Sequence, residues 1–201
     1  MNEKYELLKD PIINLYRIRA LKDFSDIKAG TLGGYVENED NLSHNGNAWV
    51  YGNAKVYGDA WIYDNAKVYD DAKVYGNARV YGDAEVCSNA RVYDDAKVCG
   101  NSWVYGDAII YGDARVYGDA RVCGNAFLKT NADYTVIHGF GSEERTTTFF
   151  RCKDGNIRVK CGCFYGTIDE FRYKVHETHG DSKYAKEYLM IADLMKFHFS
   201  E

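Results

Sequence analysis

The chain is short of histidine, of long apolar runs and of any basic excess, and each shortage removes a class of function. Its five histidines stand at positions 44, 138, 176, 179 and 198, so none falls between Asn45 and Ile137. General-base chemistry at neutral pH usually falls to imidazole, and that central stretch therefore supplies no catalytic residue and no histidine for a metal. No apolar run approaches the roughly 18 residues of a membrane span, which speaks against a membrane partner. The opening MNEKYELLKDP is acidic and lacks the apolar segment of a secretion signal, so a cytoplasmic location is expected, with all six cysteines reduced. The 25 Lys and Arg are outnumbered by 30 Asp and Glu, a formal charge of −5, which makes binding to double-stranded DNA through a basic surface unexpected. Threonine is missing from Asn47 to Leu128, and with it the ranks of hydroxyls an ice-binding face needs. Proline occurs once, at Pro11.

What the chain has in excess is tyrosine, 18 residues, about three times an ordinary share. The excess comes from a repeat. From Asn47 the chain reads NAWVYG, NAKVYG, DAWIYD, NAKVYD, DAKVYG, NARVYG, DAEVCS and onward to NAFL, a period of six with no inserted residue up to Leu128. Such a period marks a solenoid. Val or Ile fills the same slot from Val50 to Val122, and Ala stands two residues before it except at Ser102. The residues flanking the branched one are Lys, Arg or Trp before and Tyr or Cys after. This is strand alternation, Ala and Val inward and the flanking pair outward. The Gly, Asp, Asn and Ser pairs between strands tolerate left-handed backbone angles, so the chain turns a corner every six residues. Strands this short bury nothing alone and must wind into a coil whose rungs stack about 4.8 Å apart.

The corner residues set the number of sides. Asn53, Asp59, Asn65, Asp71, Asn77, Asp83, Asn89, Asp95, Asn101 and Asp107 alternate along the chain, and only then do Asp113 and Asp119 break step. With three hexads per rung, residue n lies under n+18, and Asn53, Asp71, Asn89, Asp107 and Asn125 form one alternating column. Four hexads would stack Asp on Asp, where like charges about 5 Å apart repel by up to about 1 kcal/mol even in water. A duplicated twelve-residue unit would leave the same alternation.

The hexad, a small residue two before an aliphatic one, resembles the left-handed parallel β-helix of the hexapeptide-repeat superfamily, over about 80 residues, or roughly 90 if Val36 and Leu42 begin the first coil. A second resemblance lies in RALKDFSDIKAGTLGGYVENEDNLSHNGNAWV, residues 19–50, and in TTTFFRCKDGNIRVKCGCFYGTIDEF near the end. These look like a group of hexapeptide-repeat proteins common in bacterial, phage and prophage genomes, some named acyltransferases by their repeats alone. The resemblance implies an all-β solenoid with three hexads per coil, and bears little on activity.

Three regions are expected: an N-terminal cap (1–35), the β-helix (36–130) and a C-terminal α+β unit (131–201). The caps would cover open strand edges that otherwise polymerise. Tyr16 to Leu21 alternates as a strand. Thr147 to Lys153 and Asn156 to Phe164 read as a hairpin about Asp154-Gly155. Thr167-x-x-Glu170 is a capping box opening a helix with Ile168, Phe171 and Val175 inward and a stop at Gly180. Ser182 opens a second helix, with Tyr184, Tyr188, Ile191 and Met195 on one face.

Acyltransferases of the superfamily use a histidine base and a loop that interrupts the hexads, and this coil has neither. His44 and His138 stand before and after it, about 25 Å apart along the coil. Cys161-x-Cys163 with His176-x-x-His179 could suggest zinc, but both cysteines share a strand face with Ile157 and Val159 and read as small core residues. The repeat cysteines Cys87, Cys99 and Cys123 take outward Tyr positions and are expected at a surface or an interface. No cofactor is expected; acyl-CoA is the alternative.

The outward surface is the candidate site. One face carries Tyr57, Tyr75, Tyr93 and Tyr111 beside Lys55, Lys73 and Arg91. The next carries Tyr63, Tyr81, Cys99 and Tyr117 beside Trp61, Arg79, Lys97 and Arg115. These are expected to bind a partner, since rigid Tyr, Trp and Arg dominate binding hot spots. The third carries Trp49, Tyr51, Tyr69, Trp103 and Tyr105, the expected interface of a homodimer or homotrimer. Stacked tyrosines also stabilise their own rungs. The expected function is a non-enzymatic binding protein of phage type, gripping a host protein or a nucleotide-like anion in a counter-defence role. Alternatives are an acyl-CoA-dependent acyltransferase and a structural virion component.

Overall fold

The computed structural model describes residues 3–200; residues 1, 2 and 201, which the expected caps include, lie outside the described residues. Fourteen two-residue strands, β4 (Trp49–Val50) to β17 (Phe127–Leu128), follow one another along the coil. They form three parallel sheets with a register of 18: Lys55 lies under Lys73 and Arg91, Trp61 under Arg79, and Trp49 under Lys67. The coil is therefore a three-sided β-solenoid of about five turns. It starts at β3 (Leu32–Val36), where Val36 pairs with Val56, and Leu42 bridges to Ile62.

Burial follows the hexad. Every Ala and every Val or Ile of the repeat from Ala48 to Val122 lies in the core, fully or almost fully shielded. Each such Val or Ile contributes about 1.5–3 kcal/mol relative to exposure. Ser102, the one polar residue in the Ala column, is equally buried and donates its hydroxyl to Cys99 O at 2.8 Å, so no polar atom is stranded.

The corners explain the Asn and Asp alternation. Asn53 donates through its side-chain amide to Asp71 Oδ1 of the next rung, and Asn65 to Asp83, Asn77 to Asp95, Asn89 to Asp107 and Asn101 to Asp119 do the same. Each amide carries the N–H that a second carboxylate would lack. The residue before each corner Asn or Asp has a positive φ, as Gly106 does at 73°, and a Cβ there would come 2.8 Å from Gly124 N. Where Asp64, Asp70 and Asp94 take this conformation, each carboxylate accepts the backbone N–H of the corner one rung on, Gly82, Ser88 and Gly112.

Most N–H groups between rungs point one way: the residues flanking each inward Val and the corner residue donate to carbonyls of the next rung, and only the Val itself donates back. The first rung is therefore left mainly with carbonyls and the last mainly with N–H groups. Strands β1 (Tyr5–Lys9) and β2 (Tyr16–Ala20) form an antiparallel hairpin that extends the first face beyond β3; only the second of these strands was legible in sequence. This segment supplies donors to the carbonyl end: buried Lys4 Nζ to Ala48 O at 2.9 Å, and buried Asn41 Nδ2 to Gly58 O and Ala60 O at 2.9 Å each. At the other end acceptors meet the free amides, Asn131 Oδ1 that of Arg115 and Thr148 Oγ1 that of Arg121. Both caps thus match the polarity of the edge they cover.

The C-terminal unit holds four antiparallel strands, not one hairpin: β18 (Tyr134–Phe140), β19 (Arg145–Arg151), β20 (Ile157–Cys161) and β21 (Phe164–Thr167). Helices α1 (Ile168–His179) and α2 (Lys183–His198) follow, opened by Thr167 and Ser182 as caps. Ile168, Phe171 and Val175 are buried as expected, and so are Tyr188, Ile191 and Met195; Tyr184 is exposed, and Ala185 and Ala192 complete the inner stripe. Cys163 also departs from the core expectation. It sits beyond the end of β20, after Gly162, and is exposed. No helix among the described residues is long and apolar enough to cross a membrane.

Candidate binding faces

The hexad places one outward residue on each side of every inward Val, and the register of 18 repeats it a rung apart. The first face carries a continuous ring stack: Tyr57 to Tyr75 at 4.9 Å and 3° between planes, Tyr75 to Tyr93 at 4.9 Å and 7°, Tyr93 to Tyr111 at 5.4 Å and 24°. Phe127 continues it at 4.8 Å from Tyr111, a member sequence reading missed because its unit lacks Tyr. Ring spacing equals rung spacing, so the faces cover one another and the stack shows solvent its edges and hydroxyls. Burial raises the hydroxyl pKa of Tyr57, Tyr75 and Tyr93, while the Arg91 charge pulls the other way.

Beside this stack stand Lys55, Lys73 and Arg91 on successive rungs. On the second face Arg79, Lys97 and Arg115 form the same column. None of the six enters an ion pair among the described residues. The first column lines a groove of about 630 Å³ whose other wall is the corner column Asn53, Asp71, Asn89 and Asp107. The hairpin loop overhangs one end with Ile12 and Ile13, held by Asp10 Oδ1 accepting both of their N–H groups; Ile12 is 91% exposed.

The second face is shorter. Trp61 stacks on Tyr63 at 4.1 Å and Tyr63 on Tyr81 at 4.8 Å; Cys99 then interrupts the rings, and Tyr117 stands 60% exposed near the coil's end. The hydrogen bond to Cys99 and then burial push the Tyr81 hydroxyl up to about 12.

The third face differs from expectation. Trp49 is fully buried, covered by Phe24 at 5.4 Å and Tyr5 at 6.2 Å from its own chain, so it cannot meet a second copy. Cys123, expected at a surface, is buried beneath the C-terminal unit, and burial raises its pKa. Tyr51 and Tyr69 meet edge to face at 6.5 Å, and Tyr69 donates to Glu85 Oε2 at 2.9 Å. Trp103 is 43% exposed with the Arg121 guanidinium 5.6 Å over it and Tyr105 beside it. Only part of this face is open.

The histidines divide. His44 is packed into the N-terminal cap, stacked on Tyr5 at 4.3 Å and accepting the Lys4 N–H at Nδ1. His138 and His198 line a cleft of about 480 Å³ at the coil's far end, with Tyr117, Tyr134 and Asn131. Cys161, Cys163 and His179 border one hollow of the C-terminal unit, whereas His176 is not among its lining residues. No group of three or more His, Cys, Asp or Glu among the described residues is placed to hold a metal ion.

These features define a β-solenoid built on a six-residue repeat. Residues 72–88 and 108–124, both within the coil, match the repeat family described as YdcK Beta solenoid repeat. A 37-residue stretch is 46% identical to the Uncharacterized acetyltransferase YdcK of Escherichia coli (strain K12), spanning 18% of this chain and 11% of that protein. The activity in that name belongs to that protein.

Proposed function

We propose that this protein is a non-enzymatic binding scaffold that grips an anionic partner on its first two faces. The observation that carries this reading is the pair of cation columns without ion pairs. Lys55, Lys73 and Arg91, and again Arg79, Lys97 and Arg115, stack at rung spacing in a chain of net charge −5. Like charges held this close are costly until an anion lies along them. The adjacent rows of tyrosine hydroxyls add neutral donors at the same spacing. Since the rings already cover one another, bases cannot insert between them, and a nucleotide-like ligand would be held by its phosphates. An acidic surface of a host protein fits the same rows. The open remainder of the third face, Trp103 with Tyr105, Tyr51 and Tyr69, is the self-association surface of a dimer or trimer. The resemblance of residues 19–50 to phage-borne chains supports a counter-defence role. Light scattering for mass, with titration of acidic peptides and nucleotides into wild type and Lys73→Ala/Arg91→Ala, tests the reading. A monomer that binds neither class refutes it.

A second reading, acyl transfer from an acyl-CoA, is favoured by the cleft holding His138 and His198. In it an imidazole would take the acceptor's proton. Calorimetry with acetyl-CoA decides: no affinity removes this reading, and turnover abolished by His138→Asn would replace the first.

A further inference from the structure

The C-terminal unit is larger than an edge cover requires. Apart from the residues that meet the coil, it has a second core of its own, in which Phe149, Val159, Phe171, Tyr188 and Met195 are buried. Between the β20–β21 turn and α1 it leaves a bowl of about 470 Å³, within the range of small-molecule sites.

The bowl's floor is apolar, made by Phe164, Phe171 and Val175. The polar atoms near it are already engaged: the Tyr188 hydroxyl donates to Phe140 O at 3.0 Å, and Cys161 Sγ accepts from Thr147 Oγ1 at 3.2 Å. The floor therefore offers shape and no hydrogen bonds. Its rim carries Arg145, Lys174 and His179 against one carboxylate, Glu143. Lys174 is held by Glu177 at 2.7 Å, but Arg145 stands 4.0 Å from Glu143, beyond the 2.7–2.9 Å of a charge-assisted hydrogen bond. The guanidinium lies against the backbone of Gly162, whose φ is +55°; a Cβ there would collide with Arg145 Nη1. The turn thus leaves room for this cation above an apolar hollow.

We propose that the bowl is a binding site for a small anion with a flat apolar body, of the class of aromatic carboxylates. The ring lies on Phe164, Phe171 and Val175, and the carboxylate takes the guanidinium fork of Arg145, a geometry Lys cannot reproduce. The site is independent of the coil faces.

The test uses the full chain and three probes of one shape, 2-naphthoate, 2-naphthamide and 2-naphthylmethylammonium, followed by calorimetry and ligand-observed NMR. Naphthoate is expected to saturate, with the neutral and cationic probes at least about tenfold weaker. Arg145→Gln should weaken naphthoate about tenfold with an unchanged melting temperature, since its side chain is half exposed. Thr178→Trp, on the rim, should block all three probes, and Lys28→Ala, exposed in the N-terminal cap, should change nothing. The proposal fails if naphthoate does not saturate by millimolar concentration, if the three probes bind alike, or if Arg145→Gln and Lys28→Ala have the same effect.

Discussion

Asn89→Asp is the sharpest test of the three-cornered winding, because it changes one amide to a carboxylate without altering shape. Asn89 lies one rung from Asp71 and one from Asp107, and its amide donates to Asp107 Oδ1 at 3.0 Å. The substitution removes that bond, worth about 0.5–1.5 kcal/mol. It also aligns three carboxylates about 5 Å apart, two repulsions of about 0.8 kcal/mol each at the dielectric of water. The expected loss is about 2–3 kcal/mol at low ionic strength. Near 0.15 M salt the repulsive part falls to about half, and near 1 M to about a fifth, given Debye lengths of about 8 and 3 Å. The assay is urea unfolding at neutral pH in low and high sodium chloride, with Asn89→Ser separating the lost hydrogen bond from the added charge. A destabilisation below about 0.5 kcal/mol, or one that salt leaves untouched, refutes the stacked column as the origin of the alternation.

Trp49→Ala should cost about 3–5 kcal/mol, as for other buried large-to-small changes, and loosen the N-terminal cap; unfolding midpoints measure it. Iodide should quench Trp61 and Trp103 and spare Trp49. Tyr75→Ala removes two ring pairs at 4.9 Å and should cost about 1–3 kcal/mol, whereas Tyr75→Phe should keep stability and lower affinity for an anionic partner if the hydroxyl row contributes. Lys4 is held by burial, then by the Lys22 charge, at a pKa of about 8, below its ordinary 10.5. The folded state therefore sheds this proton first, the penalty for its charge is present below pH 8, and it is relieved as pH rises toward 10.5. The melting temperature of wild type minus that of Lys4→Met should become more positive from pH 8 to 10; a flat difference refutes the assignment.

The coil was legible because one period of six fixed what points inward, and the Asn and Asp order fixed the number of sides. Reading failed where the decisive partner is remote. Trp49 sits in the same hexad setting as Trp61 and Trp103, and nothing local marks it as the covered one; its cover comes from Tyr5 and Phe24, ahead of the repeat. The buried Lys4 and Asn41 make sense only once the coil is seen to end in unpaired carbonyls. The strand Tyr134–Phe140 contains Gly139 and shows weak alternation, and the expected strand Asn156 to Phe164 ran through the turn at Gly162, so β18 and β21 went unread as separate strands. The bowl joins side chains from separate strands, a turn and both helices, and no spacing in the sequence brings them together.

The alternating corners also quantise the length this architecture can take. Cutting out one turn, three successive corners, would bring at least one aspartate directly onto another, as Asp59 onto Asp95. Removing two turns, 36 residues at the observed stagger of 18, keeps most amide-to-carboxylate pairs, as Asn53 onto Asp107 and Asn65 onto Asp119, and leaves Asp59 onto Asp113, a contact of the kind Asp95 already makes with Asp113. Lineages of such tubes should thus lengthen or shorten by steps of about 9.6 Å, with intermediate sizes selected against.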